Sequence, residues 1–93
     1  MKPEQILKIL GDDDAMKILQ LLHSNPINSA DVYGFCRDSK IPHTSFYRCI
    51  ELLTEFGLVR KTNGMYHSDV KTITASYSKG KLDASVEFVN GSN

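Results

Sequence analysis

The run TSFYRCIELLTEFGLV, residues 44–59, constrains the fold more than any other part of the sequence. Its apolar side chains recur at the spacing of one helix face: Phe46, Cys49, Ile50, Leu53 and Phe56, with Leu52 at the edge. Gly57 can adopt the left-handed conformation that ends a helix, and the apolar pair after it favours a strand. Asn63-Gly64 lies between two β-favouring runs, which is a strong hairpin signal. The sequence therefore predicts a helix followed by a two-stranded hairpin.

Three shorter helices are predicted before this one. Pro3 lies near the start of the first, which carries Ile6, Leu7, Ile9 and Leu10 and ends at Gly11. The second has apolar residues at helical spacing from Met16 to Leu22. The third is the short segment SADVYGFC, capped by Asn28 or Ser29, with Val32, Tyr33 and Cys36 on one face.

The turn RDSKIP separates this third helix from the fourth, which Pro42 opens. Two helices joined by a short turn form a helix-turn-helix pattern.

Asp12, Asp13 and Asp14 precede the second helix and have two interpretations. They can cap the helix and place negative charge at its positive end, or they can bind a metal ion. We favour capping, because no His or further acid follows at ligand spacing. Cys36 and Cys49 lack the paired spacing of a zinc site, so we expect buried free thiols, with a disulfide or a redox role as the alternative.

The segment from Lys71 onward predicts a second hairpin, at about residues 70–89. Ile73, Ala75 and Tyr77 alternate on one strand, the turn lies at residues 78–80, and the second strand follows with Leu82, Ala84, Val86 and Phe88. An isolated hairpin is marginal in water, so the apolar face is expected to cover the helices or to meet a second copy. Residues 90–93 are expected to be a disordered tail.

Composition narrows the class of protein. With 93 residues, 41% hydrophobic and 24% charged, the chain fits one globular domain, which we place at residues 1–89. It lacks an apolar run long enough to span a membrane, so a cytoplasmic protein is expected. Eleven basic residues balance eleven acidic ones, so net charge does not favour a nucleic-acid partner. The local net charge is also close to zero. Residues 1–30 contain three lysines and four acidic residues, and residues 31–71 contain six basic and five acidic residues.

The order of these elements resembles the winged helix-turn-helix transcription regulators, and most closely their ArsR-like branch. LGDDDAMKILQLL is similar to the segment that opens such domains, and SFYRCIELLTEFGLV is similar to their recognition helix; the resemblance covers about residues 5–68. It implies an α+β winged-helix fold and sequence-specific binding of double-stranded DNA. Family members often have an Arg where this chain has Ala15. The metal-sensing members carry paired cysteines where this chain offers only Cys36, so metal sensing is not expected.

In helix-turn-helix proteins the second helix of the motif enters the major groove with its N-terminal residues at the base edges. The DNA-contacting residues predicted on this basis are His43, Thr44, Ser45, Tyr47 and Arg48 on the helix, and Arg60, Lys61 and His67 on the hairpin. Arg48 can donate two hydrogen bonds to guanine, Thr44 can contact a base, and Tyr47 can contact a phosphate. The hairpin residues would contact phosphates. The competing interpretation is that Arg48 pairs with Glu51 or Glu55 on a solvated face.

Two functional classes remain open at this point. The first is a homodimeric DNA-binding regulator, and the second is a winged helix that binds another protein, since a fold does not fix its partner. We do not expect the protein to be an enzyme or to bind a metal or a cofactor. The sequence shows neither a nucleophile with a nearby base nor paired acids, and it has no phosphate-binding glycine loop. For the dimer, the apolar surface of the first helix is the favoured interface, with the second hairpin contributing.

Overall fold

The computed structural model describes residues 1–89 and is an α+β structure in which all but one short strand follow the last helix. The four helices are α1 (Pro3–Leu10), α2 (Asp13–Ser24), α3 (Val32–Ser39) and α4 (His43–Glu55). The five strands are β1 (Ile27–Asn28), β2 (Val59–Thr62), β3 (Met65–Ser68), β4 (Val70–Ser78) and β5 (Lys81–Phe88). A short 3-10 turn, Ser29–Asp31, joins β1 to α3. The predicted tail, residues 90–93, lies outside the described residues.

Local signals place the helix ends where the sequence predicts them. Asp12 caps α2 by accepting the Ala15 N–H at 3.1 Å, which confirms the capping interpretation. Asn28 caps the 3-10 turn by accepting the Ala30 N–H at 2.9 Å. Gly57 ends α4 with a φ of +76°, in the left-handed region that favours glycine. Each of these positions satisfies backbone groups that a helix end leaves without a partner.

The core forms between α2, α4 and the first hairpin. Phe46, Cys49, Ile50 and Leu53 on α4 are all buried, which confirms the predicted core face. The face of α3 differs from the prediction: Val32 and Cys36 are buried, but Tyr33 is 71% exposed. A step of one residue turns a helix by about 100°, and this moves the Tyr33 side chain off the buried stripe.

The strands form two separate sheets. In the first the order is β1-β3-β2, with Ile27 opposite Tyr66 and Val59 opposite Ser68. The sequence pattern does not predict the two-residue strand β1. Its pairing with β3 attaches the segment before α3 to the hairpin of β2 and β3. The second sheet is the hairpin of β4 and β5 alone, and α1 packs against β5. Both hairpin turns have positive φ at their two central residues, as a two-residue type I′ turn requires.

The first helix uses its apolar surface within the same chain. Ile6 and Ile9 are 2% and 0% exposed, and only Leu7 and Leu10 remain partly accessible. Most of the apolar surface of α1, which the sequence favours as a dimer interface, is therefore covered by β5 and α2 of the same chain. Of the helices within residues 1–89, none combines the length and the apolar character needed to cross a bilayer.

Candidate nucleic-acid interface

The N-terminal turn of α4 follows α3 after a short connection and carries exposed polar side chains. Pro42 occupies the cap position and supplies no side-chain acceptor, and the first turn contains no acid. His43 and Thr44 are exposed there, while Ser45 is half-buried. Within residues 1–89, the first N–H groups of this helix therefore have no side-chain partner. Such groups carry partial positive charge and can bind an anion.

Two tyrosine side chains extend this exposed region. Tyr47 is 51% exposed and its ring meets the buried Phe46 edge-on, with ring centroids 5.3 Å apart. Tyr33, from α3, lies with its ring 5.0 Å from that of His43. Tyr33 is not among the predicted contact residues, because its spacing in the sequence indicates the buried face of α3. We define the α4 surface as Tyr33, His43, Thr44 and Tyr47.

Arg48 does not pair with either acid of its own helix. Its Nη1 donates to the Asp12 carboxylate at 2.8 Å, and within residues 1–89 Asp12 is the only hydrogen-bond partner of the Arg48 side chain. The hydrogen bond from Arg48 is the main reason that the pKa of the Asp12 carboxyl lies below its ordinary value. The same carboxylate caps α2, so one acid joins the start of α2 to the flank of α4. Glu51 and Glu55 remain exposed farther along α4.

The two cysteines are free and buried, which confirms the expectation of free thiols. Burial, reinforced by the nearby Asp12 carboxylate, raises the pKa of the Cys49 thiol to about 11, and burial alone raises the pKa of Cys36. Both thiols are therefore protonated at neutral pH. Because the thiolate is the reactive form, neither residue has the environment of a redox cysteine.

The first hairpin divides its three predicted contact residues between two faces. Arg60 lies opposite His67 in the strand register, whereas Lys61 lies opposite Tyr66 on the other face. The Lys61 ammonium is 5.4 Å from the Tyr66 ring centroid, and that ring in turn packs against Phe46 of α4. Lys61 is therefore on the side of the hairpin nearer to α4. Arg60 and His67 lie on the opposite face, because alternate residues of a strand point to opposite faces.

Arg60 is already engaged within the chain. Its Nε donates to Asp69 at 2.9 Å and its Nη1 donates to the Thr62 hydroxyl at 2.9 Å. The side chain is nevertheless about half exposed. An exposed ion pair of this kind is weak, so a phosphate could replace Asp69 as the partner at little cost.

A separate groove lies on another side of the molecule. It has a volume of about 620 Å³ and is lined mainly by α2, α3 and the loop through β1, including Leu21, Ile27 and Phe35. None of its lining residues belongs to α4. Over residues 1–89, no group of three or more His, Cys, Asp or Glu side chains is arranged to hold a metal ion.

Comparison of the chain with family models, with curated proteins and with solved structures finds no match. The functional assignment therefore rests on the geometry of the α4 surface and its neighbours.

Proposed function

We propose that the protein is a winged helix-turn-helix regulator of transcription, located in the cytoplasm, that inserts α4 into the major groove of double-stranded DNA. The observation that carries this proposal is the open N-terminal turn of α4, where exposed polar and aromatic side chains surround backbone N–H groups and no acid intervenes. Helix-turn-helix proteins contact base edges with this end of this helix. The hairpin of β2 and β3 would be the wing.

The proposed contacts differ in what they contribute. Thr44 and His43 would face base edges, while Tyr47 and Lys61 would bind phosphates. Arg48 would have to exchange Asp12 for a base or a phosphate, or use its remaining N–H groups while Asp12 holds it in place. A guanidinium has five N–H donors, and Asp12 occupies one of them.

One chain of this size would cover a single half-site. Symmetric dimers that bind two half-sites about one helical turn apart are the common arrangement for helix-turn-helix proteins. We therefore propose that the DNA-bound form is a homodimer.

A second candidate function is binding to another protein through the same surface. It is favoured by the zero net charge and by the engagement of Arg48 and Arg60 with acids of the same chain. Exposed Tyr33 and Tyr47 would suit a protein interface as well, since aromatic residues are enriched there.

A fluorescence-anisotropy titration with random-sequence duplex DNA at several salt concentrations distinguishes the two functions. Each phosphate contact adds about 0.9 to the slope of log affinity against log salt. We expect detectable binding at low salt with a slope of several units. An absence of binding at low salt to both random and genomic duplexes would favour the protein-binding function instead.

Two variants with the same loss of charge test the location of the interface. Lys61→Ala removes a proposed phosphate contact, whereas Lys8→Ala removes an exposed lysine of α1. We expect Lys61→Ala to lower the salt slope by about one unit and Lys8→Ala to leave it unchanged. On the DNA sequence that the protein prefers, Arg48→Ala should weaken the free energy of binding by about 1–3 kcal/mol and relax the sequence preference. Equal behaviour of the two lysine variants would place the interface elsewhere.

A further inference from the structure

The hairpin of β4 and β5 leaves a long strand edge without a partner. β4 pairs only with β5, and no other hydrogen bond within residues 1–89 reaches the backbone of residues 72–78. Open edges of this length are uncommon in proteins that remain monomeric, because they form a template for another strand.

The register determines which backbone groups point outward. Ser78 and Lys81 flank the two-residue turn and form a hydrogen-bonded pair, and hydrogen-bonded and non-hydrogen-bonded pairs then alternate along the hairpin. The residues of the non-hydrogen-bonded pairs, Ile73, Ala75 and Tyr77, direct their N–H and C=O groups away from β5. The same three side chains lie on the apolar face of the hairpin.

Natural edge strands are usually blocked by charge, and this one is not. The segment Thr72–Ser78, TITASYS, contains no Lys, Arg, Asp or Glu. The neighbouring strand β5 has Lys81, Asp83 and Glu87 along its polar face, and α1 packs against it. The two edges of one hairpin therefore differ, and only the β4 edge is suited to pairing.

We propose that two copies of the chain pair through their β4 edges, antiparallel about a two-fold axis at Ala75, to form a four-stranded sheet. This register places Ile73 opposite Tyr77 of the second copy and forms about six new backbone hydrogen bonds, two for each hydrogen-bonded pair. Tyr77 is 74% exposed in the single chain, and an aromatic residue opposite a β-branched one is a favourable cross-strand pair.

The occupant of the edge is a second copy, because this segment is complementary to itself. Within Thr72–Ser78 the two-fold pairing brings no two charges together, and it joins the apolar faces of both hairpins into one. Lys71 lies at the irregularity of β4 and Lys79 lies in the turn, so the two lysines of opposite copies flank the ends of the ladder and limit its length. Pairing by two-fold symmetry also closes the second sheet, since the four-stranded sheet then has only the two β5 strands at its edges.

The interface is small, so the dimer should be weak. Specific interfaces usually bury about 1,200–2,000 Å² in total, and an edge pairing of seven residues is below or at the lower end of that range. We expect dissociation in the micromolar range. Because the lysines at the ladder ends repel each other, added salt should strengthen the dimer, whereas it weakens contacts with phosphate.

Proline at an outward-pointing position tests the proposal with a matched control. Ala75→Pro removes an outward N–H of β4 and leaves the bonds to β5 intact, while Ala84→Pro does the same at the facing position of the β5 edge. In sedimentation without DNA, we expect Ala75→Pro to raise the dissociation constant about tenfold or more and Ala84→Pro to change it about twofold or less. Equal effects of the two variants, or a monomeric wild type at 200 µM under about 0.5 M salt, would overturn the proposal.

A cysteine cross-link tests the register directly and does not depend on the proline variants folding. In a hydrogen-bonded antiparallel pair the Cα atoms are about 5.5 Å apart, which a disulfide can span. Ala75→Cys should give a covalent dimer on oxidation and Ala84→Cys should not, while the native thiols stay buried and unreactive. A wild-type dimer without cross-linking through Ala75→Cys would refute the two-fold axis at that residue, and larger oligomers would refute closure. This pairing would form the homodimer of the proposed DNA-binding function. Both tests are done without DNA, so the pairing and the DNA binding can each be refuted independently of the other.

Discussion

The double role of Asp12 can be separated with two substitutions. Asp12→Ala removes the helix cap and the ion pair with Arg48 together, whereas Asp12→Asn keeps an oxygen that can cap α2 and removes only the charge. Asn and Asp are about equally good caps, and replacement of either by Ala costs about 1 kcal/mol. In a domain of this size, a loss of about 1 kcal/mol lowers the melting temperature by about 4–8 °C.

Thermal unfolding followed by circular dichroism at pH 7 should therefore give a loss of about 4–8 °C or more for Asp12→Ala and a clearly smaller loss for Asp12→Asn. The pH dependence has a definite sign. The pKa of Asp12 is lowered on folding from its ordinary value of 3.8, so its charge stabilises the fold above that pH and the effect disappears as pH falls below it. The difference between wild type and Asp12→Asn should shrink towards pH 2.5.

Two results would refute this account of Asp12. If Asp12→Asn and Asp12→Ala lost equal stability at pH 7, the cap would contribute nothing and the ion pair would be the whole effect. If the difference between wild type and Asp12→Asn stayed constant from pH 7 to pH 2.5, the charge of Asp12 would not be its cause.

Other single residues affect stability, thiol reactivity or DNA binding separately. Phe46→Ala should destabilise the fold by about 3–5 kcal/mol in urea denaturation, because its fully buried ring packs against Phe35 and Tyr66 and its loss leaves a cavity. Gly57→Ala should cost about 1 kcal/mol in the same assay through its positive φ alone, since nothing lies within 4 Å of an added Cβ; an unchanged stability would contradict this. Cys49 should react with a thiol reagent at neutral pH only in urea, because its thiol is buried and its pKa is about 11, and rapid labelling of the folded protein would contradict the structure. Asp69→Asn should release Arg60 and tighten non-specific DNA binding at low salt, and a matched Asp83→Asn variant, which removes an equal charge from the second hairpin, should have a smaller effect.

The sequence by itself determined the elements whose signals are local. The cap at Asp12, the helix end at Gly57 and the turn at Asn63-Gly64 each depend on the conformational preferences of a few adjacent residues. The core face of α4 follows in the same way from apolar residues at helical spacing. The α+β class and the second hairpin could be predicted on these grounds. The exposed N-terminal turn of α4 was also predictable, because its polar residues face away from that apolar stripe.

Only the tertiary structure decided which distant groups meet. Arg48 pairs with Asp12, 36 residues away, although two acids of its own helix lie nearer in sequence. Strand alternation separates Lys61 from Arg60, but packing of Tyr66 against Phe46 decides that the Lys61 face is the one nearer to α4. β5 covers the apolar side of α1, while the edge of β4 stays open. These outcomes depend on how the helices and strands pack against one another, which is determined by the shape and burial of whole surfaces. A local sequence pattern reflects only the preferences of neighbouring residues.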